Sequence, residues 1–192
     1  MNAYATIVQA LGTLTIVAAA LAVGLLLALW MPSGRQRLRA TFSGRERHPI
    51  AWAFFVALVA MAGSLYLSDG VGLLPCKLCW FQRIAMYPLV LVLGVGLLRG
   101  DAGVWRFALP LPLVGLLISG YHVALQYQPS LDLISCGAGG ECSVRYLLVF
   151  GFVSIPVMAG GAFLLITALL LAVRTVQTEN DFDASSDFSL TV

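Results

Sequence analysis

Apolar residues in this chain come in long unbroken runs, with none of the alternation of a half-buried strand, and those runs dictate the architecture. No charged side chain precedes Arg35, and a continuous apolar body covers residues 4–31. Four more runs follow, over residues 49–67, 80–98, 107–125 and 146–173. About 20 apolar residues cross a bilayer as a helix, the form that satisfies its own backbone where no water is present. Five spanning helices are therefore predicted. Pro49 suits the first turn of the second, and Pro110 and Pro112 open the fourth. The fifth run, at 28 residues, is longer than a bilayer needs, and Pro156 predicts a kink in it. The first run is too long for a cleaved signal peptide and lacks the basic start of one, so it is read as a retained helix.

Charge then orients the helices. The loop over residues 35–48 carries Arg35, Arg37, Arg39, Arg45 and Arg47, and Arg99, Arg106 and Arg174 fall on the same side, leaving Lys77, Arg83 and Arg145 opposite. Cytoplasmic connections hold the excess of Lys and Arg, which places the N-terminus outside, the C-terminus inside and the loops after the second and fourth helices outside. Residues 175–192 turn acidic and lose apolar periodicity, reading as a disordered cytoplasmic tail. Composition agrees with the pattern. With 60% apolar and 10% charged residues and a mean hydropathy of +0.93, the chain cannot cover a water-soluble globule. A net charge of +2, from 11 basic and 9 acidic residues, leaves no basic surface for nucleic acid.

Chemistry is confined to the outer loops and helix mouths. All four cysteines lie there in two close pairs, Cys76/Cys79 and Cys136/Cys142. An even set of thiols in an oxidising compartment is read first as disulfides, although four cysteines allow three pairings. Cys76-Lys77-Leu78-Cys79 sits at the mouth of the third helix, where the free N–H groups and Lys77 favour a thiolate. Arg83, four residues after Cys79, shares its helix face one turn deeper, where it would stabilise developing negative charge unless it snorkels to the headgroups. Between Cys136 and Cys142, three of the five residues are glycine, which predicts a pliable loop and an exposed, labile disulfide. The half-apolar stretch 129–135 is expected to rest on the membrane surface.

Other chemistries fit less well. A structural zinc site usually brings a polar domain folded around it, and Trp80 stands where covalent haem attachment needs histidine. His122, at the outer end of the fourth helix, is a conceivable quinone or haem ligand, but a lone interfacial histidine is more often simply solvated or hydrogen-bonded. His48 belongs with the basic loop. Acidic residues are confined to loops and tail, against a proton or ion pathway.

The block Leu74-Pro75-Cys76-Lys77-Leu78-Cys79-Trp80-Phe81-Gln82-Arg83 through Leu89 closely resembles the disulfide bond formation protein B family (DsbB and its shorter BdbC-type relatives). A second block, Cys142-Ser143-Val144-Arg145-Tyr146 with Phe150-Gly151-Phe152 and Ile155-Pro156, is similar to that family's segment after its last cysteine. Together they extend the resemblance over about residues 50–173. The resemblance implies an all-α four-helix transmembrane bundle over residues 49–174, with residues 1–34 as an additional N-terminal transmembrane helix. It implies a bacterial inner-membrane thiol:quinone oxidoreductase that reoxidises a DsbA-like thioredoxin-fold partner and passes the electrons to ubiquinone or menaquinone. Cys136 and Cys142 would face the partner, Cys76 and Cys79 would carry the second disulfide, Cys79 would lie next to the quinone, and Arg83 would contact its head group. A vitamin K epoxide reductase-like protein would have its loop cysteines before the C-x-x-C, the reverse of the order here. The alternative from another class is a structural or scaffold membrane protein whose two loop disulfides are inert. Such bridges would resist mild reductant and show no dependence on quinone.

Overall fold

The structure, a computed structural model, describes residues 3–132, 136 and 141–190, with side chains described as far as Thr178. Helix α1 spans Ala3–Trp30, α2 Pro32–Phe42, α3 Arg47–Leu65, α4 Lys77–Arg99, the single-turn α5 Trp105–Ala108, α6 Pro110–Tyr127 and α7 Ile155–Leu190. Five stretches are long and apolar enough to cross a membrane: Ala3–Trp30, Arg47–Gly70, Lys77–Arg99, Ala102–Tyr127 and Ile155–Thr178. The protein is an all-α membrane bundle, and no named strand occurs among the described residues.

Helices α3, α4, α6 and α7 close a four-membered ring in which each packs against its two neighbours, and α1 lies outside it against α7. Burial follows that plan. Half of the spanning window of α7 is buried, 50% against 17% for α1, so α7 is the shared wall. The ring's core joins Ile50, Ala53 and Ala57 of α3 to Leu89 and Leu93 of α4 and to Phe163, Ile166 and Leu170 of α7. Lipid is as apolar as these side chains, so close packing of small residues rather than hydrophobicity holds such helices together. Gly115 of α6 illustrates it, because a Cβ there would run into the ring of the fully buried Phe163. Gly115→Val is expected to destabilise the fold by about 1–3 kcal/mol, seen as a lowered thermal midpoint in detergent, and an unchanged midpoint would contradict this packing.

Arg47, Arg106 and Arg174 gather at one end of the ring. Arg47 at the start of α3 donates to the Leu97 carbonyl at the end of α4 (2.9 Å), near the left-handed Gly100 that caps that helix. Trp105 donates to Gln177 (2.6 Å), and Arg106 and Arg174 both lie over its ring.

Three stretches differ from the sequence reading. Residues 32–42 form α2 where a loop is expected, since Pro32 opens a helix that nothing in the stretch interrupts. The fifth spanning helix starts at Ile155, nine residues after the expected 146. The apolar residues 146–154 instead make a tight turn in which Phe150 (φ 52°) and Gly151 (φ 79°) take left-handed backbone and Val149 and Val153 pair through two hydrogen bonds of 2.9 Å. Pro156 therefore sits in the first turn of α7, where its missing N–H is harmless, and makes no mid-span kink. Finally, α7 runs on to Leu190 through the acidic stretch for which no order is expected, as a formed helix gains one hydrogen bond for each residue it adds.

Candidate functional site

The end of the ring opposite the arginine cluster carries the cysteines. Cys76 is the N-cap of α4, and its Sγ accepts a hydrogen bond from the Cys79 N–H (3.3 Å), a role in which a side-chain acceptor satisfies one of the helix's unpaired donors. Its sulfur lies 2.8 Å from Cys79 Sγ, both being thiols, while Cys136 and Cys142 are joined as a disulfide. The two pairs are neighbours. Cys76, Cys136 and Cys142 share one buried cluster with Leu78 of α4 and Leu125 of α6, and Cys79 packs against its edge. Cys136 and Cys142 are only 4% and 1% exposed, which corrects the expected surface disulfide: apolar packing on α4 and α6 outweighs the pliancy of the glycines. Those glycines, at 137, 139 and 140, fall outside the described residues, as do residues 133–135 of the stretch expected to lie on the membrane surface.

Burial also changes the reading of His122. It is 3% exposed and hydrogen-bonded rather than solvated, with Nε2 3.8 Å from Cys76 Sγ and Nδ1 without a hydrogen-bond partner among the described residues. The Cys76 thiol is pulled down from its ordinary value of 9.0 to about 4. The hydrogen bond from the Cys79 thiol is the main cause, burial works against it, and His122 adds to the lowering. Because the folded value lies below the ordinary one, the Cys76 thiolate contributes stability to the reduced protein that is full above about pH 9. That contribution is lost as pH falls toward about 4. The thiolate absorbance of the reduced protein should accordingly persist down to about pH 5 and vanish in Cys76→Ser. Its disappearance already below about pH 8 would show an ordinary thiol.

Arg83 is half-buried and does not simply snorkel. Its Nε donates to Ser64 Oγ and a terminal nitrogen to the Ser64 carbonyl, both at 3.0 Å, and the guanidinium lies 5.2 Å from the Trp80 ring centre. Ser64 lies in the last turn of α3, just before a π-helical turn, Tyr66–Gly70, that widens the helix at this point. Gln82 next to it donates to Ser119 of α6 (3.0 Å), fixing α4 against α6. Arg145 donates to the Gln126 carbonyl at the end of α6 (3.1 Å) and lies over Tyr127, holding the segment after Cys142 to that helix. Cys76, Cys79, Arg83 and His122 all line one cavity of about 450 Å³ between the helices. The ligand atoms of Cys76, Cys79 and His122 also lie within 4.8 Å of one another, a set suited to a thiophilic ion only while both thiols are reduced.

The four cysteines and Arg83, singled out from the sequence, meet at this end of the bundle, whereas the sequence does not single out Ser64 and sets His122 aside. The signal for His122 is a shared face: Ser119, His122 and Gln126 recur at helical spacing on α6, as a buried polar stripe requires.

A dithiol beside a buried disulfide at one end of a membrane bundle, with Cys76 buried and Cys79 half-buried, defines a membrane thiol–disulfide oxidoreductase. The chain belongs to the DsbB family: the model of disulfide bond formation protein DsbB matches residues 46–173. It is 44% identical over 125 residues to the probable disulfide formation protein C 2 of Bacillus anthracis, covering 65% of this chain and 89% of that protein. It is 42% identical over 128 residues to the disulfide bond formation protein C of Bacillus subtilis, covering 66% and 93%. A probable disulfide formation protein of Metapseudomonas resinovorans is 36% identical over 137 residues, covering 69% and 93%. No solved structure matches. A role in disulfide bond formation follows, and α1 and α2 precede the matched stretch.

Proposed function

We propose that the protein is a thiol:quinone oxidoreductase of the bacterial inner membrane, with the cysteine end outside, the N-terminus outside and the C-terminus inside, where the arginine end belongs. The observation that carries this reading is the single buried cluster holding Cys76, Cys136 and Cys142, since exchange between two sulfur pairs needs them side by side. A thiolate of a reduced, DsbA-like thioredoxin-fold partner attacks Cys136 and releases Cys142. The partner's second thiol then leaves with the first as a disulfide, and both outer cysteines are reduced. That dithiol reduces the Cys76–Cys79 disulfide and is itself reoxidised. Both outer sulfurs are buried in the present state, so partner docking has to uncover Cys136 before attack.

The residues at the cavity suit a quinone: an apolar chamber with the Arg83 guanidinium fixed on Ser64 at the level of Cys79. When bound, ubiquinone or menaquinone supplies the oxidant, an acceptor for two electrons and two protons. Both inner cysteines line the cavity, Cys79 as the more exposed of the two in the first turn of α4 and Cys76 as the stabilised thiolate in the cluster with the outer pair. Arg83 offers a fixed positive charge to a ring oxygen.

Arg83→Ala is expected to raise the KM for quinone roughly 10- to 100-fold, the loss of one charge-assisted hydrogen bond, and to slow exchange with the partner much less. Steady-state kinetics with each substrate varied separately checks the split; equal effects on both would remove Arg83 from the quinone site. The function itself is tested with a small amount of protein and an excess of reduced partner. Continued partner oxidation is expected only with quinone present, and the same rate without it would overturn the reading.

A further inference from the structure

Resting on that reading, we infer that α1, the helix preceding the family-matched stretch, forms the outer wall of a chamber that takes the isoprenoid tail of the quinone. Three observations point there.

First, α1 is seated rather than adrift. A Cβ on Gly161 of α7 would come within 2.9 Å of Thr15, and one on Gly12 within 2.7 Å of Val149. Ala22 is fully buried against Leu165 and Ala168. Second, the cavity at the redox cysteines does not end there. It continues between α1 and α3, lined by Leu14, Ala18 and Leu21 on one side and by Val56, Phe55 and Trp52 on the other. The α1 residues fall at spacings of four and three, one stripe of the helix.

Third, the charged and redox groups of the lining lie at one end, and Thr15 and Tyr87 are uncharged polar side chains further along it. Leu11 of α1 lies against Gly63 of α3, next to the Ser64 that holds Arg83, so residue 11 marks the redox level. From there to Leu21 the wall runs about 15 Å along the helix, at about 1.5 Å per residue. A ligand matching this shape has a compact polar head and a linear apolar tail, and a volume of about 450 Å³ is in the range of a small-molecule site. Without α1 this side of the chamber would be open to lipid.

The test uses the full chain in lipid nanodiscs. Calorimetry gives the affinities of a quinone with a long isoprenoid tail and of its tail-free counterpart. Leu14→Trp and Ala18→Phe narrow the chamber and are expected to lower the ratio of tailed to tail-free affinity about tenfold. Val23→Trp, on the same helix but away from the lining, should leave the ratio as it is. In the unsubstituted protein, a quinone carrying a photoreactive group at its tail end should label the peptide of residues 11–21. Labelling confined to α4 and α6, or an affinity ratio that none of the substitutions moves, overturns the inference and leaves the chamber to a lipid acyl chain. If the unsubstituted protein binds neither quinone, the proposed function fails first and the chamber with it.

Discussion

Cys79→Ser is expected to reduce quinone turnover to below about 10⁻³ of the unsubstituted rate, the scale of losing a nucleophile that acts as part of a unit. The physical reason is position. Both cysteines line the apolar cavity, but Cys79, in the first turn of α4, is the more exposed, whereas Cys76 is 2% exposed and is tied to His122 and to the outer pair. A serine hydroxyl keeps the size and hydrogen bonding of the thiol but cannot enter a disulfide, so the inner pair can no longer cycle. The loss should fall on quinone reduction while the first exchange, between the partner and Cys136/Cys142, still proceeds for a single turnover. Stopped-flow measurement of partner oxidation separates the two: a burst of one equivalent followed by arrest is expected. Full multiple turnover would remove Cys79 from the electron path.

Cys142→Ser carries the other large effect. With its disulfide partner gone, Cys136 is a free thiol that attacks the disulfide of the oxidised thioredoxin-fold partner, forming a mixed disulfide and releasing the partner's other sulfur as a thiolate, and no Cys142 thiol remains to resolve it from within the loop. A covalent adduct, stable without reductant and lost with it, should accumulate to a large fraction of the protein. Peptide mapping should place the bond at Cys136. The corresponding Cys136→Ser protein should trap far less, and adduct formation mainly through Cys142 would invert the order of attack. The buried packing of this pair against Leu78 and Leu125 adds a kinetic expectation: adduct formation is slower than for an exposed thiol, since docking must first uncover the sulfur.

Much of this arrangement was legible in the sequence for simple reasons. Spanning helices announce themselves through the summed cost of burying backbone in lipid, and α1, α3, α4 and α6 fall within a few residues of their expected bounds. The link between Cys79 and Arg83 is local, four residues on one helix, and needs no tertiary knowledge. What the sequence concealed is long-range or conformational. Residues 146–154 are apolar enough to continue a helix, and only the left-handed backbone at Phe150 and Gly151 makes them a turn packed beneath α1 and the end of α3. Ser64 reaches Arg83 across 19 positions, and His122 reaches Cys76 across 46, so neither contact has a local signature. The burial of the outer disulfide is likewise a property of the α4 and α6 surfaces it meets and not of its glycine-rich spacing.

On the proposed function, electrons pass between the two sulfur pairs that meet at this buried cluster and leave at the cavity. The most direct measurement is an electron count. With oxygen excluded, the purified protein is mixed with a reduced thioredoxin-fold dithiol protein and a quinone, and thiol loss and quinone reduction are followed together. One quinone should be reduced for each pair of partner thiols lost, and the ratio should hold until one reactant is exhausted. Partner thiols that disappear while the quinone stays oxidised would contradict the account.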